Sequence, residues 1–90
     1  MAFRALVVAG AGVQIAAFQP LRTAITIKNL GPARCFIGQD LPDLAVQGFA
    51  LDTGEYLSLI ASDGDDPRTG LYAITAGLNA DLRIEESFQI

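Results

Sequence analysis

Val46-Gln47-Gly48-Phe49-Ala50-Leu51-Asp52-Thr53-Gly54-Glu55-Tyr56-Leu57-Ser58-Leu59-Ile60 decides the fold class. Phe49 and Leu51 alternate with Ala50, and Leu57 and Leu59 alternate with Tyr56 and Ser58, the two-residue period of a half-buried strand. Between the two runs, Asp52-Thr53-Gly54 supplies turn chemistry. Gly54 suits a position that needs positive φ, and Asp52 can accept from backbone N–H groups two residues on. The stretch predicts a β-hairpin.

The same scheme extends in both directions. Arg22 to Asn29 predicts a strand with Thr23, Ile25 and Ile27 on one face and Arg22, Ala24, Thr26 and Lys28 on the other. Asn29-Leu30-Gly31-Pro32-Ala33 predicts a turn, and Arg34 to Gly38 the returning hairpin partner. Gln39 to Ala45, with Asp40, Pro42 and Asp43, suits a surface connection from one sheet to another. Ser62 to Gly70 is the longest polar stretch and predicts an exposed loop. Leu71 to Thr75 resumes a strand, Gly77 to Ala80 turns, and Asp81 to Glu85 closes the sheet with Leu82 and Ile84 inward.

Upstream, Phe3 to Val8 reads as an edge strand or as an arm reaching a neighbour, and Val13 to Ala17 alternates weakly. Residues 86–90 are left as a tail that frays or docks on a partner. No segment carries a capped 3.6-residue period, and no composition change divides residues 1–90. These patterns predict a single all-β domain, a small antiparallel β-sandwich or jelly-roll-like barrel of about seven or eight strands, with residues 1–12 as an arm or edge.

Composition narrows the function. A chain of 90 residues buries only roughly 60–65% of its unfolded surface, yet 51% of this one is hydrophobic. The excess predicts apolar surface covered by other subunits. Net charge is −4, and the six basic residues are scattered, which argues against nucleic acid. No apolar run reaches the roughly 18–20 residues of a membrane-spanning helix. Gly12 and Gln14 interrupt the apolar run after Arg4, so residues 1–18 read as part of the mature chain rather than as a secretory signal. The single cysteine, Cys35, reads as a small buried hydrophobe in a protein assembled in a reducing cytoplasm.

Catalytic and ligand motifs are weak. Val7 to Ile15 resembles part of a dinucleotide fingerprint but has Ile15 in place of the third glycine, and Pro20 interrupts the helix that should follow. Asp63, Asp65 and Asp66 suggest a cation loop, but Pro67 and Arg68 stand where an EF-hand needs a ligand and a glycine. Asp65/Asp66 and Glu85/Glu86 are adjacent in sequence, so a strand would point them to opposite faces. Ser58, Ser62 and Ser87 have no histidine to activate them. Tyr56, Tyr72 and the phenylalanines suggest a sugar-stacking platform, against the alternative of core packing. The expectation is a non-enzyme with no catalytic residues, no cofactor and no metal.

The ordered set of Ala24 to Pro32, Phe36-Ile37-Gly38, Gly48 to Leu59, Leu71 to Ile74 and Ala80 to Glu86 resembles small β-sandwich virion accessory proteins of tailed bacteriophages. The resemblance spans roughly residues 13–86 and rests on turn and core positions. It implies a capsid decoration or cement protein on the capsid surface of the virion, bound to the major capsid protein and assembled in the host cytoplasm. A homo-oligomer is expected, with a trimer favoured, and Phe3, Leu6, Val7 and Val8 are the expected subunit or capsid contacts. A tail or fibre adhesion module binding a host-surface glycan is the alternative.

Overall fold

A computed structural model of the chain describes residues 2–9, 12–39, 48–75 and 78–89. Eight strands run in chain order as β1 (Ala2–Val8), β2 (Val13–Ala16), β3 (Arg22–Pro32), β4 (Cys35–Gly38), β5 (Phe49–Leu51), β6 (Tyr56–Ile60), β7 (Leu71–Thr75) and β8 (Ala80–Phe88). They form two four-stranded sheets with orders β1-β8-β3-β6 and β2-β7-β4-β5. A single 3-10 turn, Ala61–Asp63, follows β6.

The pairing has a simple origin. β1 pairs with β8, β2 with β7, β3 with β6 and β4 with β5, all antiparallel. The chain is thus one long two-stranded ribbon that doubles back between β4 and β5. Rolling the ribbon brings β3 against β8 and β4 against β7, closing each sheet. This order is a jelly roll, in agreement with the all-β sandwich or jelly-roll expectation.

The observed pairing overturns four local expectations. β5 and β6 lie in different sheets, so Val46 to Ile60 is not a hairpin: Asp52 to Glu55 is a corner at which the chain changes sheets. Its turn chemistry is as expected, with Gly54 at φ 87° and Glu55 N–H donating to Asp52 O at 3.0 Å. A turn signal specifies reversal, and both a hairpin and a corner satisfy it. β3 and β4 are likewise separated, while β4 and β5 are neighbours in one sheet, so the chain does not change sheets between Gly38 and Phe49. The fourth revision is at residues 86–88, where Glu86, Ser87 and Phe88 continue β8 rather than forming a tail. The turn positions Gly10, Ala11 and Gly77 and the connection 40–47 lie outside the described residues.

The core is aliphatic and lies between the sheets. Val8, Ile25, Ile27, Leu82 and Ile84 from one sheet meet Ile15, Cys35, Ile37, Leu51, Leu71 and Ala73 from the other, all essentially buried. Each large member contributes about 1.5–3 kcal/mol through burial. At one end, Asn29 ties two corners together. Its Nδ2 donates to Ala33 O and Leu51 O, both at 2.8 Å, and its Oδ1 accepts from Gly31 N–H at 2.7 Å. Gly31 has φ 87°, and a Cβ there would collide with the Thr53 side chain, so the two corners also touch directly.

Candidate functional site

Among the described residues, the most buried charges, Arg22 and Glu86, stand at the end of the sandwich opposite Asn29. Sequence alternation placed Arg22 outward with Ala24, but the β3–β8 register shifts between Arg22 and Ala24, and this bulge turns Arg22 inward. Glu86 continues the inward series Ala80, Leu82, Ile84 on β8. The two meet at 3.0 Å between Arg22 Nε and Glu86 Oε2, with only 3% and 8% of their side chains exposed. From β1, Arg4 Nε reaches Glu86 Oε1, also at 3.0 Å, with its side chain 40% exposed.

Arg22 has four further hydrogen-bond contacts to complete its shell. Nη1 donates to Pro67 O at 3.0 Å and Thr69 O at 3.3 Å, Nη2 donates to Ala17 O at 2.7 Å, and the backbone N–H donates to Gln19 O at 3.2 Å. One guanidinium therefore holds β8, the segment before β3 and the polar 62–70 stretch together. That stretch is exposed through Asp66, as expected, but Pro67 is buried beneath it. Neither Arg22 nor Glu86 was singled out from sequence. The inward parity of Leu82 and Ile84 carried to Glu86 was a usable signal, whereas the bulge at Thr23 left none.

An open cleft lies over this cluster, lined by Arg4, Gln14, Phe18, Gln19, Arg22 and Phe88. Its rim carries exposed apolar rings, with Phe18 at 67%. The buried carboxylate is bound by two guanidinium groups, and the buried guanidinium is held by that carboxylate and three backbone carbonyls, so the cluster serves to fasten strands. Buried side-chain polar atoms without a partner are absent among the described residues.

The expected contact residues divide by strand parity. Val8 is fully buried and Leu6 packs against the core, while Phe3 and Val7 face outward with 70% and 58% exposure. Ala5 lies exposed between them. The segment is an edge strand and not a free arm, because all seven residues pair with β8. Two outward rows cross this sheet. One runs Phe3, Glu85, Thr26, Ser58, and the other runs Ala5, Arg83, Lys28, Tyr56. The Thr26 and Ser58 hydroxyls are hydrogen-bonded to each other at 2.5 Å between Oγ1 and Oγ. Arg83 pairs with Asp81 on its own strand.

The remaining candidates are held in local structure. Asp65 Oδ2 accepts from Ile60 N–H at 3.1 Å, and Asp66 Oδ1 accepts from both the backbone N–H and the Nε of Arg68, at 3.1 and 3.0 Å. That hydrogen bond from Arg68 holds the Asp66 carboxyl below its ordinary range. Among the described residues no group of three or more His, Cys, Asp or Glu side chains converges as metal ligands do. Cys35 is buried in β4, and burial pushes its thiol up to about 11, which keeps it protonated and unreactive at neutral pH. Ser58 faces Thr26 rather than a base.

Comparison with protein-family models, with curated proteins and with solved structures finds no match in any of the three.

Proposed function

We propose that the chain is a non-enzymatic structural virion protein that decorates and stabilises a capsid shell by binding the major capsid protein and further copies of itself. The observation that carries this reading is the exposed apolar set. With the sandwich closed, Phe3, Val7, Phe18, Leu21, Phe49, Tyr56 and Leu78 each keep more than half their surface in water. The core cannot take them, because it is already filled by the inward face of each strand. Surface of this kind is covered when a small domain binds a larger one.

Two further features support the proposal. The chemistry of the described residues is spent on structure: the buried charges fasten strands, and the only cysteine is inert. The jelly roll is also an architecture used by capsid and lectin domains, an analogy of fold and not of site. Such a protein stabilises its shell by mass action, because it binds the assembled lattice and not the dissociated subunits. The test is co-sedimentation of the purified chain with shells of the major capsid protein, followed by thermal challenge. Saturable binding and a raised shell melting temperature are expected. Failure to bind any shell, together with absence from purified particles, overturns the proposal.

A second reading draws on the outward row that ends at Tyr56. An exposed aromatic ring beside Lys28 and the Thr26–Ser58 hydroxyl pair offers a stacking face with hydrogen-bonding groups. This favours a tail or fibre module that binds a host-surface glycan. Specific binding on a glycan array that is lost in Tyr56→Ala selects it over decoration.

A further inference from the structure

Four strands lie at sheet edges, and three of them are defended. β2 is four residues long and its register shifts between Gln14 and Ala16. β5 has three residues. β6 runs into the 3-10 turn, and its last N–H, that of Ile60, is taken by Asp65 Oδ2. Short edges, bulges and capped ends are the devices that stop a strand from accepting another.

β1 has none of them. All seven of its residues pair with β8 without a register shift, so the strand is regular from end to end. It contains no proline, and its only charge, Arg4, is held by Glu86 on the inner side of the sheet. Its outward side chains are Phe3, Ala5 and Val7. Along its free side, every second residue presents a backbone N–H and C=O with no strand beside them among the described residues.

We infer that β1 pairs antiparallel with β1 of a second copy about a two-fold axis through Ala5, joining the two four-stranded sheets into one continuous sheet. The register follows from the sequence of the strand. Outward residues must face outward residues, so only alternate registers are allowed. An axis at Arg4 sets two guanidinium groups opposite each other. An axis at Leu6 puts Phe3 beyond the end of the partner strand. The axis at Ala5 pairs Phe3 with Val7 of the second copy, Arg4 with Leu6, Ala2 with Val8 and Ala5 with itself, so every residue of the strand has a partner.

In that register each copy contributes a Phe3–Val7 contact, an aromatic ring against a β-branched side chain, which is a favourable cross-strand pair. The Arg4 stem covers Leu6 while its head stays on Glu86. The contact uses the same patch on both copies and closes at two, in place of the three-fold cluster expected from sequence. It is one strand wide, below the roughly 1,200 Å² of standard interfaces, so the dimer dissociates reversibly on dilution. The inference stands on the strand edge and not on the virion reading, so the failure of one leaves the other standing.

Sedimentation equilibrium of the full chain over the micromolar range, together with an engineered cysteine, tests it. Across the axis the Ala5 Cα atoms would be about 4.5–5.5 Å apart, within the roughly 4.4–6.8 Å that a disulfide spans. Buried Cys35 does not compete. Ala5→Cys is expected to give a covalent dimer on mild oxidation, and Thr26→Cys, on the same face but two strands inward, is expected to stay monomeric on a non-reducing gel. Ala5→Lys sets like charges together at the axis and is expected to weaken the dimer at least ten-fold with an unchanged circular dichroism spectrum. A native chain that sediments only as monomer or as trimer overturns the inference. So does an Ala5→Cys variant that folds and fails to cross-link, and the native chain's sedimentation decides the matter if the variants do not fold.

Discussion

Glu86 and Asn29 are two polar residues that the core encloses, and each holds together what the aliphatic side chains cannot align. Removing Glu86 strands the Arg22 guanidinium in a site where 3% of it reaches water. An uncompensated buried charge of this kind costs about 3–5 kcal/mol. Glu86→Ala is therefore expected to lose that much in urea denaturation, while Arg4→Ala, whose side chain is 40% exposed, is expected to lose at most about 1 kcal/mol. Equal losses would show that Arg22 is satisfied by its three carbonyl partners alone. Asn29 fills a different role, since its amide caps carbonyls on two separate corners. Asn29→Ala orphans Ala33 O, Leu51 O and Gly31 N–H together, and each buried orphan costs about 1–3 kcal/mol. A loss of at least about 2 kcal/mol in the same assay is expected, and a value below about 1 kcal/mol would mean that water enters the corner and replaces the amide.

At the scale of elements, alternation was legible and partnership was not. The Ile25/Ile27 and Leu82/Ile84 faces follow directly from period-two spacing, because inward residues must be apolar. The hairpin expected over Val46 to Ile60 failed because Asp52-Thr53-Gly54 encodes a reversal without encoding which sheet receives the next strand. What decides that is distant: Asn29 N–H donates to Glu55 O and Gly54 N–H to Asn29 O, so β3 holds the corner in place. Arg22 was misplaced for a related reason, since a bulge is a property of the strand pair and not of either sequence run. The corner also carries the Arg34–Asp52 ion pair, with a 2.6 Å bond from Arg34 Nε. That hydrogen bond holds the Asp52 carboxyl below its ordinary range. A depressed folded value means stability that is present above the unfolded carboxylate pKa of about 3.9 and lost as pH falls through the lower folded value. Asp52→Asn is expected to melt slightly below the native chain at neutral pH, with the gap closing as the pH drops beneath about 3.9. A gap that persists unchanged to pH 2 would assign the difference to turn geometry instead of charge.

For the molecule as a whole, the rolled ribbon makes the last strand the structural centre of its sheet. β8 lies between β1 and β3, contributes Ala80, Leu82 and Ile84 to the core, and delivers Glu86 to Arg22. Without it β1 has no partner in its sheet and β3 keeps only β6. The ribbon also pairs its two ends directly, Ala2 with Glu86 and Val8 with Ala80, so sheet closure requires contacts between residues nearly the whole chain apart. Loop-closure entropy must be met before such pairs reward it, which places folding in the range of roughly milliseconds to seconds typical of sandwiches of high contact order. A chain ending at Asn79 is expected to show no dispersed amide spectrum and no cooperative unfolding. The mirror truncation, a chain beginning at Ala9, removes an edge strand. It is expected to keep a weakened cooperative transition, because the β3–β8 ladder from Arg22 to Pro32 is untouched by the cut. Cooperative folding of the chain ending at Asn79 would mean that the second sheet, β2-β7-β4-β5, is a folding unit by itself and that β8 docks on a finished scaffold.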